Sequence, residues 1–112
     1  MKLLIMSGGM THPYAVTTPI IEDFLKAAGY DVSVTEDASI LTEPAKMKGY
    51  DALVFNTVRD NSFRFNYGLF TWSENEQVGI KDFISSGKGF VCLHYACYLP
   101  YNWLDYHDIT GG

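Results

Sequence analysis

The stretch GFVCLHYAC, residues 89–97, contains the histidine with the strongest sequence signal for chemistry. Residues typical of a buried β-strand lead into a small-x-His-x-small pattern, in which Cys92 and Ala96 lie two positions before and after His94. That spacing is typical of a nucleophile elbow, a tight strand-to-helix turn that presents a Ser or Cys to the substrate. An imidazole there can act as a general acid or base, ligate a metal or hydrogen-bond a polar substrate. Alternatively, His94 has a structural role, in which it caps the end of the strand and bonds to the backbone. We favour the functional interpretation.

Two cysteines lie beside this histidine, and neither is the favoured nucleophile. Cys92 falls inside the predicted strand and points into the sheet, where a cysteine behaves as a small hydrophobic residue. Cys97 follows His94 by three residues, and a helix start there would favour its thiolate. A disulfide between the two would close a very short loop, so we expect both thiols to be reduced.

Neither a metal site nor a cofactor is predicted. His12, His94 and His107 could ligate a metal together with Asp105, but their spacing matches no ligand motif. The glycine-rich patterns that bind dinucleotides and nucleotide phosphates do not occur in the sequence. The Gly8–Gly9 pair instead allows a sharp turn and a close approach of the backbone to a ligand.

The apolar pattern predicts an α/β protein with a parallel sheet. Continuous apolar runs at 3–6, 52–55 and 89–93 are typical of central strands, whereas 30–35 has the alternating pattern of an edge strand. Helical patterns separate these strands, and right-handed connections between them favour the sheet order 2-1-3-4.

Three helices are predicted between and after the strands. Thr18 is the expected N-cap of the first helix and Pro19 its first helical residue. The sequence Ser73 to Glu76 matches a capping box and predicts a second helix that ends near residue 86. A third helix is expected over residues 102–110. One face of the first helix carries its apolar residues, which are Ile20, Ile21, Phe24, Leu25 and Ala28.

The predicted topology brings polar groups to one edge of the sheet, because ligands bind at the carboxyl ends of parallel strands. Around a catalytic His94 we therefore expect a set of substrate-binding residues from three strand ends. These predicted residues are Gly8, Gly9, His12, Asn56, Arg59 and Tyr95.

The last predicted strand, 90–93, is apolar at every position and would form the second edge of the sheet. Such an edge invites pairing with another strand. We therefore expect either that the chain is the N-terminal portion of a longer domain or that a partner chain covers this edge, and we predict a homo-oligomer.

The segment NSFRFNYGLFTW, residues 61–72, is rich in aromatic residues. It can serve as a lid that stacks on a sugar ring, or it can pack against the core or a neighbouring subunit. Packing is slightly favoured.

The composition excludes several classes of partner. The formal net charge is −5 over 112 residues, and no Lys/Arg cluster occurs. Nucleic acids and anionic membranes both attract basic surfaces, so neither is an expected partner. No apolar segment has transmembrane length, and the short apolar run near the N-terminus suits a first strand, so a cytoplasmic protein is expected.

Several segments together resemble a known family. They are LLIMSGGMTHP, GYDVSVTEDASIL, YDALVFN, GKGFVCLHYA and ITGG, in this order over nearly the whole chain. The chain resembles the trehalose-utilisation, or ThuA-like, family of the class I glutamine amidotransferase-like superfamily. The resemblance implies a flavodoxin-like fold with three αβα layers.

The resemblance also implies a function in the breakdown of trehalose or a related disaccharide. Amidotransferases carry a cysteine at the elbow, whereas this family carries the histidine, here His94, so glutaminase activity is not expected. The family usually has Gly in place of Cys92 and a small residue in place of Tyr95, and both substitutions crowd the elbow. It also continues beyond the Gly-Gly pair, which implies that a C-terminal part is missing here. A sugar-like small molecule is therefore the expected ligand, and the protein is expected to be an enzyme that acts on a sugar or keto-sugar. The alternatives are a non-catalytic domain that binds a carbohydrate or metabolite and a truncated domain that self-associates.

Overall fold

The computed structural model describes residues 1–9, 12–58, 71–98, 100 and 102–111. Four strands and four α-helices alternate along this part of the chain, with two short 3₁₀ helices between them. In chain order the elements are β1 (Lys2–Gly8), α1 (Tyr14–Ala27), β2 (Asp31–Thr35), the first 3₁₀ helix (Ala38–Thr42), α2 (Pro44–Met47), β3 (Ala52–Thr57), α3 (Glu74–Ser85), β4 (Gly89–Cys92), the second 3₁₀ helix (His94–Cys97) and α4 (Tyr106–Thr110).

The four strands form one parallel sheet in the order β2-β1-β3-β4. Ile5 lies opposite Val34 on one side and Val54 on the other, and Val54 lies opposite Val91. The central strands β1 and β3 are buried on both faces, as their continuous apolar runs predict. The α/β class and the order 2-1-3-4 are thereby confirmed.

Helices cover both faces of the sheet and give the three αβα layers of a flavodoxin-like fold. Leu4, Met6 and Phe55 point to the larger core, which α3, α4 and the first 3₁₀ helix complete. Leu3 and Ile5 point to the other face, where residues of α1 pack on the sheet. Among the described residues, α1 is the only helix that contributes to this second core.

The predicted start of the first helix is wrong. Helix α1 begins at Tyr14, directly after Pro13, so Thr18 and Pro19 lie inside it. The Thr18 hydroxyl contacts the Ser7 and Asn56 side chains instead of capping a helix. The expected inner face is also only partly correct, because Ile21 and Leu25 pack on the sheet while Ala28 and two large apolar residues of that face are exposed. The two large residues are Ile20 (64%) and Phe24 (72%).

The other two helices differ in how well the sequence predicts them. In α3 the Ser73 hydroxyl accepts from the Glu76 amide and the Glu76 carboxylate accepts from the Ser73 amide, so the capping box is confirmed. Helix α4 covers only Tyr106–Thr110, so the predicted start near residue 102 is wrong, and the buried Trp103 lies before the helix. Within the described residues, no helix has the length and apolar composition required to cross a bilayer.

Candidate functional site

Two histidines from distant parts of the sequence meet at the carboxyl end of the sheet. His12 lies in the loop between β1 and α1, and His94 lies two residues after the end of β4. Their Nε2 atoms are 3.1 Å apart, and their rings meet edge to face with centroids separated by 5.0 Å. The contact has hydrogen-bond length, so one ring donates its N–H to the lone pair of the other.

The backbone at His94 adopts an unusual conformation. Its φ angle is +48°, and no other non-glycine residue of the described ranges has a positive φ. Such angles are strained for residues with a Cβ and are concentrated at functional sites. The Leu93 amide still bonds to the Phe55 carbonyl of β3, whereas the next residue already opens the second 3₁₀ helix. The chain therefore turns sharply at His94, between strand and helix.

Aromatic rings surround the histidine pair. Tyr95 packs on the His12 ring at 4.9 Å between centroids, and Tyr98 stacks on Tyr95 at 5.0 Å with an interplanar angle of 4°. Tyr14 contacts His12 at 5.9 Å. Nearly half of the Tyr98 side chain is exposed, so the series of rings runs from the histidines to the surface.

The two histidines open into a cavity of about 360 Å³. This volume lies within the range of about 300–1,000 Å³ that is usual for small-molecule sites. Polar and aromatic groups line one part of the cavity, and aliphatic groups of α1 line another. The lining residues are His12, Pro13, Tyr14, Thr17, Ile20, Ile21, Asn56, Leu93, His94 and Tyr95.

Asn56, a predicted binding residue, lies at this cavity but uses its amide hydrogens within the protein. Its Nδ2 donates to Thr17 Oγ1 at 3.0 Å and to Thr18 Oγ1 at 2.9 Å. Thr18 Oγ1 is also 2.6 Å from Ser7 Oγ. These bonds join α1 to β1 and β3 beneath the cavity. Sequence reasoning missed both threonines, because adjacent Thr residues before a proline resemble a helix start.

The two glycines of the β1 loop shape the chain near the site. Gly8 has φ of +107°, and its carbonyl accepts from the Thr57 hydroxyl at 2.6 Å. Gly9 has φ of +133°, and a Cβ there would lie 2.7 Å from the Tyr14 ring and 3.0 Å from Val58. The protein's own side chains thus occupy the space beside Gly9, and neither glycine is among the cavity-lining residues. The predicted residue 59 and the aromatic residues 61–70 lie outside the described ranges.

The family model for ThuA, described as trehalose utilisation, matches residues 2–112. The chain belongs to the ThuA trehalose-utilisation family. No curated protein and no solved structure matches it. The match confirms the resemblance inferred from the sequence segments and assigns this ThuA-family chain a role in trehalose utilisation.

The cysteines of this ThuA-family chain lie behind the elbow. Cys92 Sγ is 3.0 Å from the Tyr106 hydroxyl and 3.2 Å from the Ala96 carbonyl oxygen. Burial raises the pKa of the Cys92 thiol to about 12, so it stays protonated at neutral pH. Cys97 is exposed, with its Sγ 3.6 Å from the Cys92 carbonyl oxygen, and both thiols are free.

Of the four residues weighed as a metal site, only His12 and His94 come together. His107 is exposed on α4 and does not line the cavity with the other two histidines. Asp105 instead accepts a hydrogen bond from Lys81 at 3.2 Å. In the part of the chain that the structure describes, no group of three or more potential metal ligands forms.

Proposed function

We propose that this ThuA-family protein acts on a sugar or keto-sugar related to trehalose, with His94 as the general acid/base. The 3.1 Å contact between the Nε2 atoms of His12 and His94, at the mouth of a cavity, supports this proposal most strongly. Neutral imidazole offers one donor and one acceptor nitrogen, and it changes charge near neutral pH.

The histidine pair suits proton transfer with a hydroxyl group. A substrate hydroxyl that replaces the direct contact between the rings can donate to the Nε2 of His94 and accept from the Nε2–H of His12. His94 then takes the hydroxyl proton as general base, while the N–H of His12 stabilises the negative charge that develops on the oxygen. The proton held by His94 is available to protonate another atom of the substrate later in the reaction.

The aromatic residues beside the pair suit a sugar ring. Tyr95 packs on His12 and Tyr98 stacks on Tyr95, and this stacked arrangement keeps both tyrosine rings in one orientation. An aromatic face provides a large, rigid contact area for the C–H groups of a sugar. We assign Tyr95 to substrate binding for this reason.

Glutamine hydrolysis is not part of the proposal. A thioester mechanism requires a thiolate at the elbow, where this chain has His94. The nearby Cys92 thiol has a raised pKa, which disfavours the nucleophilic thiolate form. The two free thiols fit a reducing compartment, so we place the protein in the cytoplasm.

Paired variants test this function. Trehalose, its keto derivatives and maltose are each mixed with the unmodified protein, and binding is measured by calorimetry and turnover by NMR. We expect His94→Asn to bind the preferred sugar within about threefold of the unmodified protein and to lose at least about 100-fold in turnover, the usual share of general acid–base catalysis. Val78→Ala, on the exposed surface of α3, is the control and retains both properties.

A binding domain without turnover is the second candidate. It is favoured by the cavity of about 360 Å³ and by the stacked Tyr95 and Tyr98 rings, which suit a bound ligand without proton transfer at His94. In that case the unmodified protein binds a sugar and converts none of those supplied. Retention of full turnover by His94→Asn would exclude the acid/base role of His94.

A further inference from the structure

The turn that carries His94 is fixed to β3 on its strand side. The Leu93 amide donates to the Phe55 carbonyl, which extends the pairing of β4 with β3 by one residue. The Ala96 amide then donates to the Leu93 carbonyl and closes the turn. A 3₁₀ helix has poorer hydrogen-bond geometry than an α-helix, so a single turn of it fixes the chain weakly. The positive φ of His94 therefore needs a second support, because a non-glycine residue keeps such an angle only where its surroundings impose it.

Tyr106 of α4 contacts the other end of the turn. Its hydroxyl donates to the Ala96 carbonyl oxygen at 2.9 Å. Ala96 lies two residues after His94, and both Ala96 and Tyr106 are buried in the larger core. Neither Ala96 nor Tyr106 lines the histidine cavity. The bond therefore joins the turn to the core without entering the cavity.

Cys92 contacts the same carbonyl oxygen but is the weaker partner. Its Sγ is 3.2 Å from the Ala96 oxygen and 3.0 Å from the Tyr106 hydroxyl. A carbonyl oxygen has two lone pairs and can accept from both groups, and a thiol is a weaker donor than a phenol. Burial raises the pKa of the Cys92 thiol and of the Tyr106 phenol, so each keeps the hydrogen that it donates.

The Tyr106 ring is held in place by the core around it. Only 1% of Tyr106 is exposed, and its ring centroid is 5.0 Å from that of the buried Trp103. Side chains in a closely packed core occupy defined rotamers. The hydroxyl therefore cannot follow the turn if the turn moves, and it provides a fixed point for the Ala96 carbonyl.

We propose that Tyr106 is a positioning residue for His94 and acts through the Ala96 carbonyl. Leu93 is bonded to β3 and Ala96 to α4, so only two residues lie between the fixed points. The backbone of these two residues then has little freedom, and the turn holds the His94 imidazole against His12. The benefit for acid/base catalysis rests on the proposed function, whereas the contact between the two imidazoles does not.

Tyr106→Phe tests this role, because it removes the hydroxyl and keeps the ring. A hydrogen bond between the two Nε2 atoms requires one ring with its proton on Nε2 and the other with its proton on Nδ1. Long-range ¹H–¹⁵N spectra at about pH 8.5, where imidazole is neutral, distinguish these tautomers. We expect different tautomers for His12 and His94 in the unmodified protein. In Tyr106→Phe this difference should be lost, and each ring should show the tautomer mixture of free imidazole.

Two controls separate positioning from a general loss of stability, which urea unfolding measures for every variant. Tyr30→Phe makes the same chemical change on the opposite face of the sheet. Ile80→Val removes one carbon from the same core and lowers its stability. Both controls should keep the tautomer difference. Where circular dichroism shows that Tyr106→Phe is unfolded, Cys92→Ala decides, because it removes the second donor to Ala96 and should reduce the tautomer difference in part.

Turnover of a sugar gives a second measurement. Tyr106→Phe should lower kcat at least about tenfold and change KM less than about twofold, because a displaced general base loses reactivity rather than binding. Four results would overturn the positioning role: an unchanged tautomer difference in folded Tyr106→Phe, an unchanged difference in the deciding Cys92→Ala, no difference in the unmodified protein, or an equal loss in Ile80→Val. If no sugar is converted, the acid/base role of His94 fails, and the imidazole spectra still decide the role of Tyr106.

Discussion

Among the described glycines, Gly79, in the middle of α3, leaves the least room for a Cβ atom. A Cβ at this position would lie 1.9 Å from the Leu41 carbonyl oxygen and 2.8 Å from its carbonyl carbon. Leu41 belongs to the first 3₁₀ helix and is 1% exposed. Gly79→Ala therefore requires α3 and the first 3₁₀ helix to separate, because backbone atoms cannot move aside as a flexible side chain can.

Two opposing effects set the size of the change. Alanine favours a helix interior over glycine by about 1 kcal/mol. An ordinary carbon–oxygen contact needs at least about 3.2 Å, so the elements must move apart by more than 1 Å, and overpacking of a core costs about 1–3 kcal/mol or more. Since the Cβ would overlap backbone atoms of Leu41, we expect an overpacking cost at the upper end of that range. After the gain in helix propensity is subtracted, the net loss of unfolding free energy is about 2 kcal/mol or more. For a domain of this size that lowers Tm by roughly 8 °C or more.

Urea unfolding and thermal melting measure this loss, with two other glycines as controls. Gly49→Ala should change stability by less than about 0.5 kcal/mol, because its Cβ would meet the Lys46 carbonyl at an ordinary 3.5 Å. Gly87→Ala meets no atom within 4 Å but has φ of +87°, so backbone strain alone should cost about 1–2 kcal/mol. If Gly79→Ala were neutral or stabilising, the close packing of α3 on the first 3₁₀ helix would be refuted.

Three further predictions concern buried polar groups and the site. Burial raises the pKa values of Cys92 and Tyr106, so the folded state keeps protons that the unfolded state loses at high pH. The contribution of these two groups to the unfolding free energy is complete below about pH 8.5. Above that pH it falls by at most about 1.4 kcal/mol per pH unit for each group. In urea unfolding, the unfolding free energy of Cys92→Ala should therefore decline less steeply with pH than that of the unmodified protein. Thr18→Val should lower the unfolding free energy by about 1–3 kcal/mol, since Asn56 loses a buried partner; an unchanged urea midpoint would contradict this. Tyr95→Ala should weaken sugar binding about tenfold in calorimetry while urea stability changes by less than about 1 kcal/mol.

The sequence predicts the sheet well because each strand is encoded locally. The apolar runs of β1 and β3 and the turn residues around them are sufficient to place the strands, and right-handed connections fix their order. The capping box of α3 is equally local, since the side chains of Ser73 and Glu76 each bond to the other residue's backbone amide. Such features do not depend on what packs against them.

The start of α1 depends on distant residues and could not be predicted in this way. Thr18 and Pro19 have the local pattern of a helix start, but Thr18 bonds to Ser7 of β1 and Asn56 of β3. Those partners are 11 and 38 positions away in sequence, so no local pattern reveals them. The same holds for Gly79. An isolated α3 helix would be more stable with alanine at this position, and glycine is needed only because the Leu41 backbone approaches so closely.

The histidine pair illustrates how the sheet brings distant residues together. β1 and β4 are separated by β3, and neighbouring strands lie about 4.8 Å apart, so the two strand ends are about 10 Å from one another. A direct contact between His12 and His94 therefore requires each chain segment to turn toward the end of β3. On one side Gly8 and Gly9 adopt positive φ angles before His12, and on the other His94 itself does so. The positive φ angles at both strand ends thus have a common physical reason: they bring two imidazoles within hydrogen-bond distance of each other.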